Sequence, residues 1–168
     1  VQAAIEDNYA PAFEATFMNA FGAKLGFADA LPGDEDFVGE TVLLLQRQHF
    51  DFTLFFRRLS QLAATPDPAA RPALDAPLRD LAIDRDDLDN WLALWRARLH
   101  AEGRPDAERQ AAMLATNPKY VLRNWVAESA IRAARAGDFS ETQAVLTCLS
   151  RPFDEQPENE RFAAPPPQ

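Results

Sequence analysis

The chain has 168 residues, and its 26 acidic against 17 basic side chains give it a formal net charge of −9. This balance argues against nucleic acid and anionic membrane surfaces as main partners, since both select basic faces. The length suits one domain with a core of its own, and no stretch of the sequence approaches the ~18 apolar residues of a membrane span.

Three helices are predicted in the first part of the chain. Pro11 is expected to break or kink a short turn carrying Ile5 and Tyr9, ahead of the first helix. The predicted inward stripe of that helix is Phe13, Phe17, Ala20, Phe21, Lys24 and Leu25. Asp34 and Asp51 are expected to cap the second and third helices. The predicted core positions of these two helices are Phe37, Val38, Thr41, Val42 and Leu45, then Phe52, Phe55, Phe56, Leu59 and Leu62.

Residues 63–77 differ in character from what precedes them. Four prolines lie there among alanine and aspartate, with no apolar period: Pro66, Pro68, Pro72 and Pro77. Each proline lacks a backbone donor and restrains the residue before it. The segment is therefore predicted to be a loop between two helical halves.

A long helix capped by Asp84 and ended by Gly103 is the clearest prediction in the second half. Its buried stripe would be Leu88, Trp91, Leu92, Trp95 and Leu99. Pro105 is expected to stand at the first position of the next helix.

Asn117 and Pro118 are expected to cap and open a further helix that ends at Gly137. Its predicted buried face is Val121, Leu122, Trp125, Val126, Ser129 and Ala133, with Glu128 and Arg132 one turn apart on the wet face. Ser140 would open the last helix through a capping box, and Pro152 would stop it. These patterns predict an all-α, irregular multi-helix domain over residues 1–151 and an extended, proline-rich acidic tail over 152–168.

The chain shows no pattern of a self-sufficient catalytic site. It has no glycine-rich phosphate loop, no kinase catalytic motif and no His/Glu pair at metal-ligand spacing. His49 and His100 are each expected at a helix end, and Cys148 in a core. The acidic run 84–89 is expected to be a helix start rather than a calcium loop. We therefore predict no catalytic, cofactor-binding or metal-binding residue in this chain.

One ordered set of motifs is far more distinctive than its chemistry explains. It comprises Asn117-Pro118-Lys119-Tyr120-Val121-Leu122-Arg123-Asn124-Trp125, then Ala130-Ile131, Gly137-Asp138-Phe139 and Arg151-Pro152-Phe153-Asp154-Glu155-Gln156-Pro157. The set closely resembles the C-terminal region of the SelO family, also called YdiU. Upstream matches to the same family are Lys24-Leu25-Gly26 and Asp51-Phe52-Thr53 with Phe56-Arg57, so the resemblance covers essentially the whole chain.

The resemblance implies a protein-kinase-like (pseudokinase) fold and an unusual activity, the transfer of AMP from ATP to Ser, Thr or Tyr hydroxyls of other proteins. ATP and a divalent metal, Mg²⁺ or Mn²⁺, are implied for the full-length protein, whose nucleotide-binding parts would precede Val1. This chain is then expected to be the helical remainder of the C-lobe, catalytically inactive by itself. Its signature residues are expected to be structural: Asn117, Pro118, Lys119, Tyr120, Arg123, Asn124, Arg151, Pro152, Asp154 and Gln156.

The expected partners are the N-terminal kinase-like lobe of the same protein and the protein substrates of the full-length enzyme. Fragmenting such a lobe would expose apolar surface, so we expect self-association through the phenylalanines near the N-terminus. The single cysteine fits a reducing compartment, and heavy use of Ala, Arg, Asp and Pro fits a GC-rich bacterial genome, which together predict a bacterial cytoplasmic protein. The alternative is an independent helical module that binds a protein partner.

Overall fold

The computed structural model describes residues 2–65, 67 and 69–165, with the backbone alone for 2–8. Within these residues there are nine α-helices, one 3-10 turn and no strand, which confirms the all-α prediction. The helices are α1 (Gln2–Leu25), α2 (Asp34–Arg47), α3 (Phe52–Leu59), α4 (Arg71–Arg79), α5 (Arg85–Glu102), α6 (Asp106–Thr116), α7 (Asn124–Arg135), α8 (Ser140–Leu149) and α9 (Glu160–Ala163). None of the described helices combines the length and apolar character needed to cross a membrane. The predictions for the Ile5 side chain, Pro66, Pro68 and residues 166–168 lie outside the described residues.

The helices form two compact units, Val1–Thr116 and Asn117–Gln168. The first contains α1 to α6 and the second α7 to α9. The breaks predicted from the sequence lie at 63–77 and after residue 151, and each of these segments falls within one unit. Buried side chains hold each segment to its unit: Asp75 in the first, and Gln156 and Phe162 in the second.

Helix α5 is the centre of the first unit. All five residues of its predicted stripe are buried, which confirms that prediction: Leu88, Trp91, Leu92, Trp95 and Leu99. The two indoles are stacked at 6.4 Å between ring centroids. Trp91 Nε1 donates to Thr41 Oγ1 at 3.1 Å, and Trp95 Nε1 donates to the Leu25 carbonyl at 2.9 Å. The tryptophans thereby join α5 to α2 and to the end of α1 without leaving a buried donor unpaired.

Helix α1 runs unbroken through Pro11, so the predicted break is wrong. A proline removes only one N–H from the helical ladder, a loss that a helix of 24 residues tolerates here. The predicted inward stripe is buried only at its C-terminal end, at Phe21 and Leu25. Phe13 and Phe17 remain 57% and 39% exposed, and their rings stack on each other at 6.2 Å between centroids.

The loop predicted over 63–77 gives way to helix α4 at Arg71. Pro72 lies in the first turn, where a backbone N–H has no helical partner in any case. Pro77 lies inside the helix, which is held in place by Leu78, fully buried, and by Asp75, which pairs with Arg96 of α5. These long-range contacts outweigh the local signal of the prolines.

Asp51 and Asp84 cap their helices as predicted, whereas Asp34 and Ser140 do not. Asp51 accepts from the Leu54 N–H at 2.8 Å, and Asp84 accepts from the N–H groups of both Asp86 and Asp87. Asp34 is instead the first residue of α2, after Gly33 in the cap position, because its carboxylate is engaged by Arg98. Ser140 is likewise the first residue of α8, and the carboxylate that accepts its N–H at 2.9 Å is that of Asp138.

Some predicted core positions are exposed. In α2 the buried residues Val38, Thr41 and Leu44 define the inner face, and Val42, 40% exposed, lies off it. Phe52 is 46% exposed at the start of α3. Leu122 is 57% exposed because the segment that contains it is not helical.

Helix α7 begins at Asn124 and not at Pro118 as predicted, because the N–H groups of Lys119 and Tyr120 donate to the Pro152 carbonyl. The second unit has its own core of Tyr120, Val126, Val145, Cys148 and Phe162. The predicted extended tail is partly helical, with a 3-10 turn at Pro157–Asn159 followed by α9. Phe162, only 2% exposed, holds this segment against the unit.

Candidate functional site

The signature motifs converge in the second unit, where the segment 117–123 meets the residues that follow α8. The backbone N–H groups of Lys119 and Tyr120 both donate to the Pro152 carbonyl, at 2.8 and 3.1 Å. Proline fixes φ at 118 and again at 152, and Pro152 lies in a turn in which the Asp154 N–H donates to the Arg151 carbonyl at 3.2 Å. The two motifs, separated by about 30 residues in the chain, are therefore joined directly through their backbones.

Lys119 connects the same segment to two carboxylates. Its Nζ lies 2.6 Å from Glu155 Oε2 and also pairs with Glu160. Partial burial by itself would lower the pKa of Lys119, but the bonds to Glu155 and Glu160 outweigh it and raise the pKa. The side chain is thus held as a cation between two acidic residues.

Tyr120 and Gln156 form a buried polar pair. Tyr120 Oη donates to the Gln156 carbonyl at 2.9 Å, and burial raises the pKa of the phenol. Gln156 Nε2 donates to the carbonyls of Cys148 and Arg151, and its Oε1 accepts from Asn159 Nδ2. One glutamine side chain therefore provides hydrogen-bond partners for carbonyl groups at the end of α8 and for Asn159 in the following turn.

The remaining signature residues surround this pair. Asn117 is buried at 1% exposure, and Arg123 directly precedes α7 in extended conformation. Asn124 is the exposed first residue of α7. Arg151 and Asp154 form a solvent-exposed ion pair at 3.8 Å, of the kind that contributes little. The structure thus joins the two motifs through Lys119, Tyr120 and Gln156, which bond to backbone carbonyls and to neighbouring carboxylate and amide side chains.

The arrangement of these side chains is poorly suited to catalysis. Lys119 and Tyr120 both have raised pKa values, so neither is prepared to act as a general base near neutral pH. Cys148 is fully buried, and burial raises the pKa of its thiol, which disfavours the reactive thiolate. Among the residues whose placement is described, no group of three or more His, Cys, Asp and Glu could hold a metal ion.

Three arginines of the first unit that are buried or partly buried were missed from the sequence. Arg96, Arg98 and Arg109 lie on or beside the aromatic core, with partners that are mostly distant in the chain. Arg98 joins Asp34 and Glu102, and Glu102 Oε1 also accepts from the N–H groups of Ala28 and Asp29.

Arg109 is the most enclosed member of this set. Its guanidinium lies 5.2 Å from the centre of the Trp95 ring and donates to the Leu62 carbonyl at 2.5 Å. Burial lowers its pKa, against the opposing effect of Asp106. The only sequence signal was the i,i+3 spacing of Asp106 and Arg109.

Comparison with known proteins gives one consistent result. The family model described as "Protein adenylyltransferase SelO" matches residues 1–150. "Protein nucleotidyltransferase YdiU" of Dechloromonas aromatica (strain RCB) is 57% identical over 164 residues, which is 98% of this chain and 33% of that protein. Proteins of the same name from Burkholderia orbicola (strain MC0-3) and Burkholderia pseudomallei (strain K96243) are each 48% identical, over 99% and 96% of this chain. The chain spans about a third of the length of these curated relatives.

Proposed function

Because the chain belongs to the SelO family, we propose that it is the helical C-terminal part of a longer protein adenylyltransferase. In this role it supports the fold of the enzyme and does not itself contain the nucleotide site. The observation that carries the proposal is the match of the family model to residues 1–150. The chain spans about a third of its relatives' length, so it corresponds to one part of such a protein. We place the full-length protein in the bacterial cytoplasm, in keeping with the one cysteine of this chain, which is buried.

The full-length protein is proposed to transfer AMP from ATP to Ser, Thr or Tyr hydroxyls of other proteins, with Mg²⁺ or Mn²⁺ as cofactor. In such a transfer the hydroxyl oxygen forms a bond to the α-phosphorus, pyrophosphate leaves and the hydroxyl proton is released. In a kinase-like fold, the nucleotide site would be supplied by the part of the protein that precedes the helical C-lobe. We propose that the full-length protein contains this part on the N-terminal side of residues 1–168.

Within the part of the chain that the structure describes, the charged side chains best suited to a metal–nucleotide are already paired. The signature cation Lys119 is engaged by two carboxylates, which would compete with phosphate oxygens for it. The carboxylates of the buried clusters, Asp75 and Asp34, are likewise paired with Arg96 and Arg98. We therefore assign this chain no step of the transfer, and give its signature residues the structural role that their contacts support.

The proposal is tested by comparing the full-length protein with residues 1–168. The full-length protein should label acceptor proteins with AMP from α-labelled ATP and a divalent metal. The isolated chain should show no heat of ATP–Mg²⁺ binding in calorimetry. Micromolar ATP binding by residues 1–168, or the absence of AMP transfer by the full-length protein, would contradict it.

A second candidate is an independent helical module that binds a protein partner. It is favoured by the exposed aromatic side chains of α1, where Tyr9 and Phe13 are 65% and 57% exposed. The reading frame that encodes the chain decides between the two. A kinase-like lobe encoded upstream favours the adenylyltransferase, and a start codon immediately before Val1 favours the module.

A further inference from the structure

The surface between α1 and α2 contains a groove of about 750 Å³ with an apolar floor. The floor side chains are Phe17 and Met18 of α1 and Val38, Val42 and Leu43 of α2. Phe17, Val42 and Leu43 are 39%, 40% and 46% exposed, a large apolar area to leave in water on adjacent helices. We call this surface the α1–α2 groove.

The charged side chains that line the α1–α2 groove, within the described part of the chain, are all carboxylates. They are Glu14 of α1 and Glu35, Asp36 and Glu40 of α2. Glu40 alone has a nearby cation in an ion pair, at 3.8 Å from Arg47. A partner for this groove must therefore combine an apolar face with basic flanks. A second copy of the chain fits poorly, because a shared two-fold contact would place carboxylates against carboxylates.

Gly39 lies in the middle of α2 and lines the same groove. Glycine weakens a helix interior, so a packing reason is expected for it. Within the described structure there is none, since a Cβ at this position would meet nothing within 4 Å. A glycine at the floor of a groove lets the backbone of another element approach closely, which supplies the reason.

We propose that the α1–α2 groove receives an amphipathic helix bearing Lys or Arg, contributed by the part of the full-length protein outside residues 1–168. The proposal rests on the proposed function only in taking the chain as part of a longer polypeptide. Two thirds of the relatives' length lies outside the matched region. A helix within the same polypeptide is present at high effective concentration and needs only modest affinity.

The chemistry is tested on residues 1–168 with two synthetic helical peptides. One peptide has leucine on its apolar face and lysine elsewhere, and the other replaces each lysine with glutamate. The lysine peptide should bind at least ~10-fold more tightly, because it alone complements the carboxylates. Amide NMR shifts should cluster at Gly39, Val42 and Leu43. Equal affinities, or shifts that map to another surface, would overturn the proposal.

A matched pair of charge reversals separates the groove from overall charge. Glu14→Lys with Glu35→Lys changes one mid-helix and one first-turn residue of the groove. Glu108→Lys with Glu128→Lys makes the same change at exposed positions of α6 and α7. The groove pair should weaken lysine-peptide binding at least ~5-fold, and the control pair less than ~2-fold. Equal losses would show attraction to net charge alone and contradict the proposal.

The source of the helix is tested by cysteine labelling. Val42→Cys places a thiol on the groove floor at a 40% exposed position and leaves Gly39 unchanged. Cys148 is fully buried, and any cysteine outside residues 1–168 is first replaced with serine, so that a maleimide reagent reports the new thiol alone. Its labelling rate is measured in residues 1–168 and in the full-length protein, each relative to the urea-unfolded rate. Burial beneath a tethered helix should slow labelling at least ~10-fold in the full-length protein. Equal rates would rule out a partner in the same polypeptide.

The outcomes remain distinguishable from those of the proposed function. Protection of Val42→Cys is measured without ATP, so it can be observed in a protein that transfers no AMP. Conversely, AMP transfer by a full-length protein whose groove labels freely would leave the function standing and remove the docking proposal. Dimerisation of residues 1–168 in sedimentation, abolished by the groove reversals, would assign the surface to a second copy and also overturn it.

Discussion

Arg96 shows how a single buried charge can decide the stability of the first unit. Its guanidinium forms two hydrogen bonds to the Asp75 carboxylate, at 3.0 and 2.6 Å, and a third to the Ala63 carbonyl at 3.1 Å. Both side chains are below 10% exposure. Replacing both members of such a pair with apolar residues changes the free energy of unfolding little. Removing one member alone leaves the charge of the other buried and unpaired.

Arg96→Met should therefore destabilise the chain by about 3–5 kcal/mol, because it leaves the Asp75 carboxylate buried without its cation. Combining it with Asp75→Leu should recover much of the loss. Urea unfolding measures both, with Arg132→Met as the control at an exposed pair. An Arg96→Met effect as small as the control's would show that the buried pair is unimportant.

Asp34 links the stability of the fold to pH. Hydrogen bonds from Arg98 hold its pKa below the ordinary aspartate value, aided by the Leu31 N–H and opposed by burial. The folded chain therefore binds this proton less readily than the unfolded chain does. The stabilisation is complete above the unfolded pKa of about 3.9 and is lost as the pH falls through the lower, folded pKa.

Asp34→Asn should lower the free energy of unfolding at neutral pH and flatten its decline in acid. Urea unfolding over a pH series measures both effects. Asp36→Asn, which removes an exposed carboxylate from the same turn of α2, is the matched control. The same flattening in both variants would contradict the assignment to the Arg98 pair.

The limits of prediction at this scale follow from sequence distance. Asp75 and Arg96 are 21 positions apart, and Asp34 and Arg98 are 64 apart, so no local pattern joins them. The signature residues were found through family motifs, but their contacts depend on how residues 151–156 return to 117–123. Local chemistry alone could not give that pairing.

At the scale of elements, two exposed glycines with open space around them should respond in opposite ways to alanine. Gly39 has helical neighbours on both sides, so Gly39→Ala should stabilise the isolated chain by about 1 kcal/mol. Gly103 ends α5 with φ at 67°, where alanine is strained, so Gly103→Ala should destabilise by about 1 kcal/mol. Thermal unfolding measures both, and changes of the same sign would contradict the argument.

The elements were predictable where one physical signal dominated. Helix α5 combines a cap, an apolar period and a terminal glycine, and all of them agree with its tertiary packing. Helix α4 was missed because its prolines signal a loop, while the burial of Asp75 and Leu78 that holds it depends on distant partners. The start of α7 was misplaced because Asn117-Pro118 resembles a cap, although Lys119 and Tyr120 bond to Pro152.

At the scale of the whole molecule, the scaffold role predicts that a distant variant can affect catalysis. Arg123 is a partly buried cation at the entrance to α7, within the signature motif. We hypothesise that it braces the catalytic lobe, so Arg123→Ala in the full-length protein should reduce AMP transfer. Arg132→Ala, at an exposed pair of the same helix, is the control. Wild-type transfer by Arg123→Ala at unchanged stability would reject the hypothesis.

The three tryptophans are divided between the two units, so indole fluorescence can report on each unit separately. Trp91 and Trp95 stack within the unit Val1–Thr116, and Trp125 lies in the unit Asn117–Gln168. Replacing Trp125 with phenylalanine would confine indole emission to the first unit, whereas replacing the stacked pair would confine it to the second. The melting of each half can then be followed optically without attaching any dye.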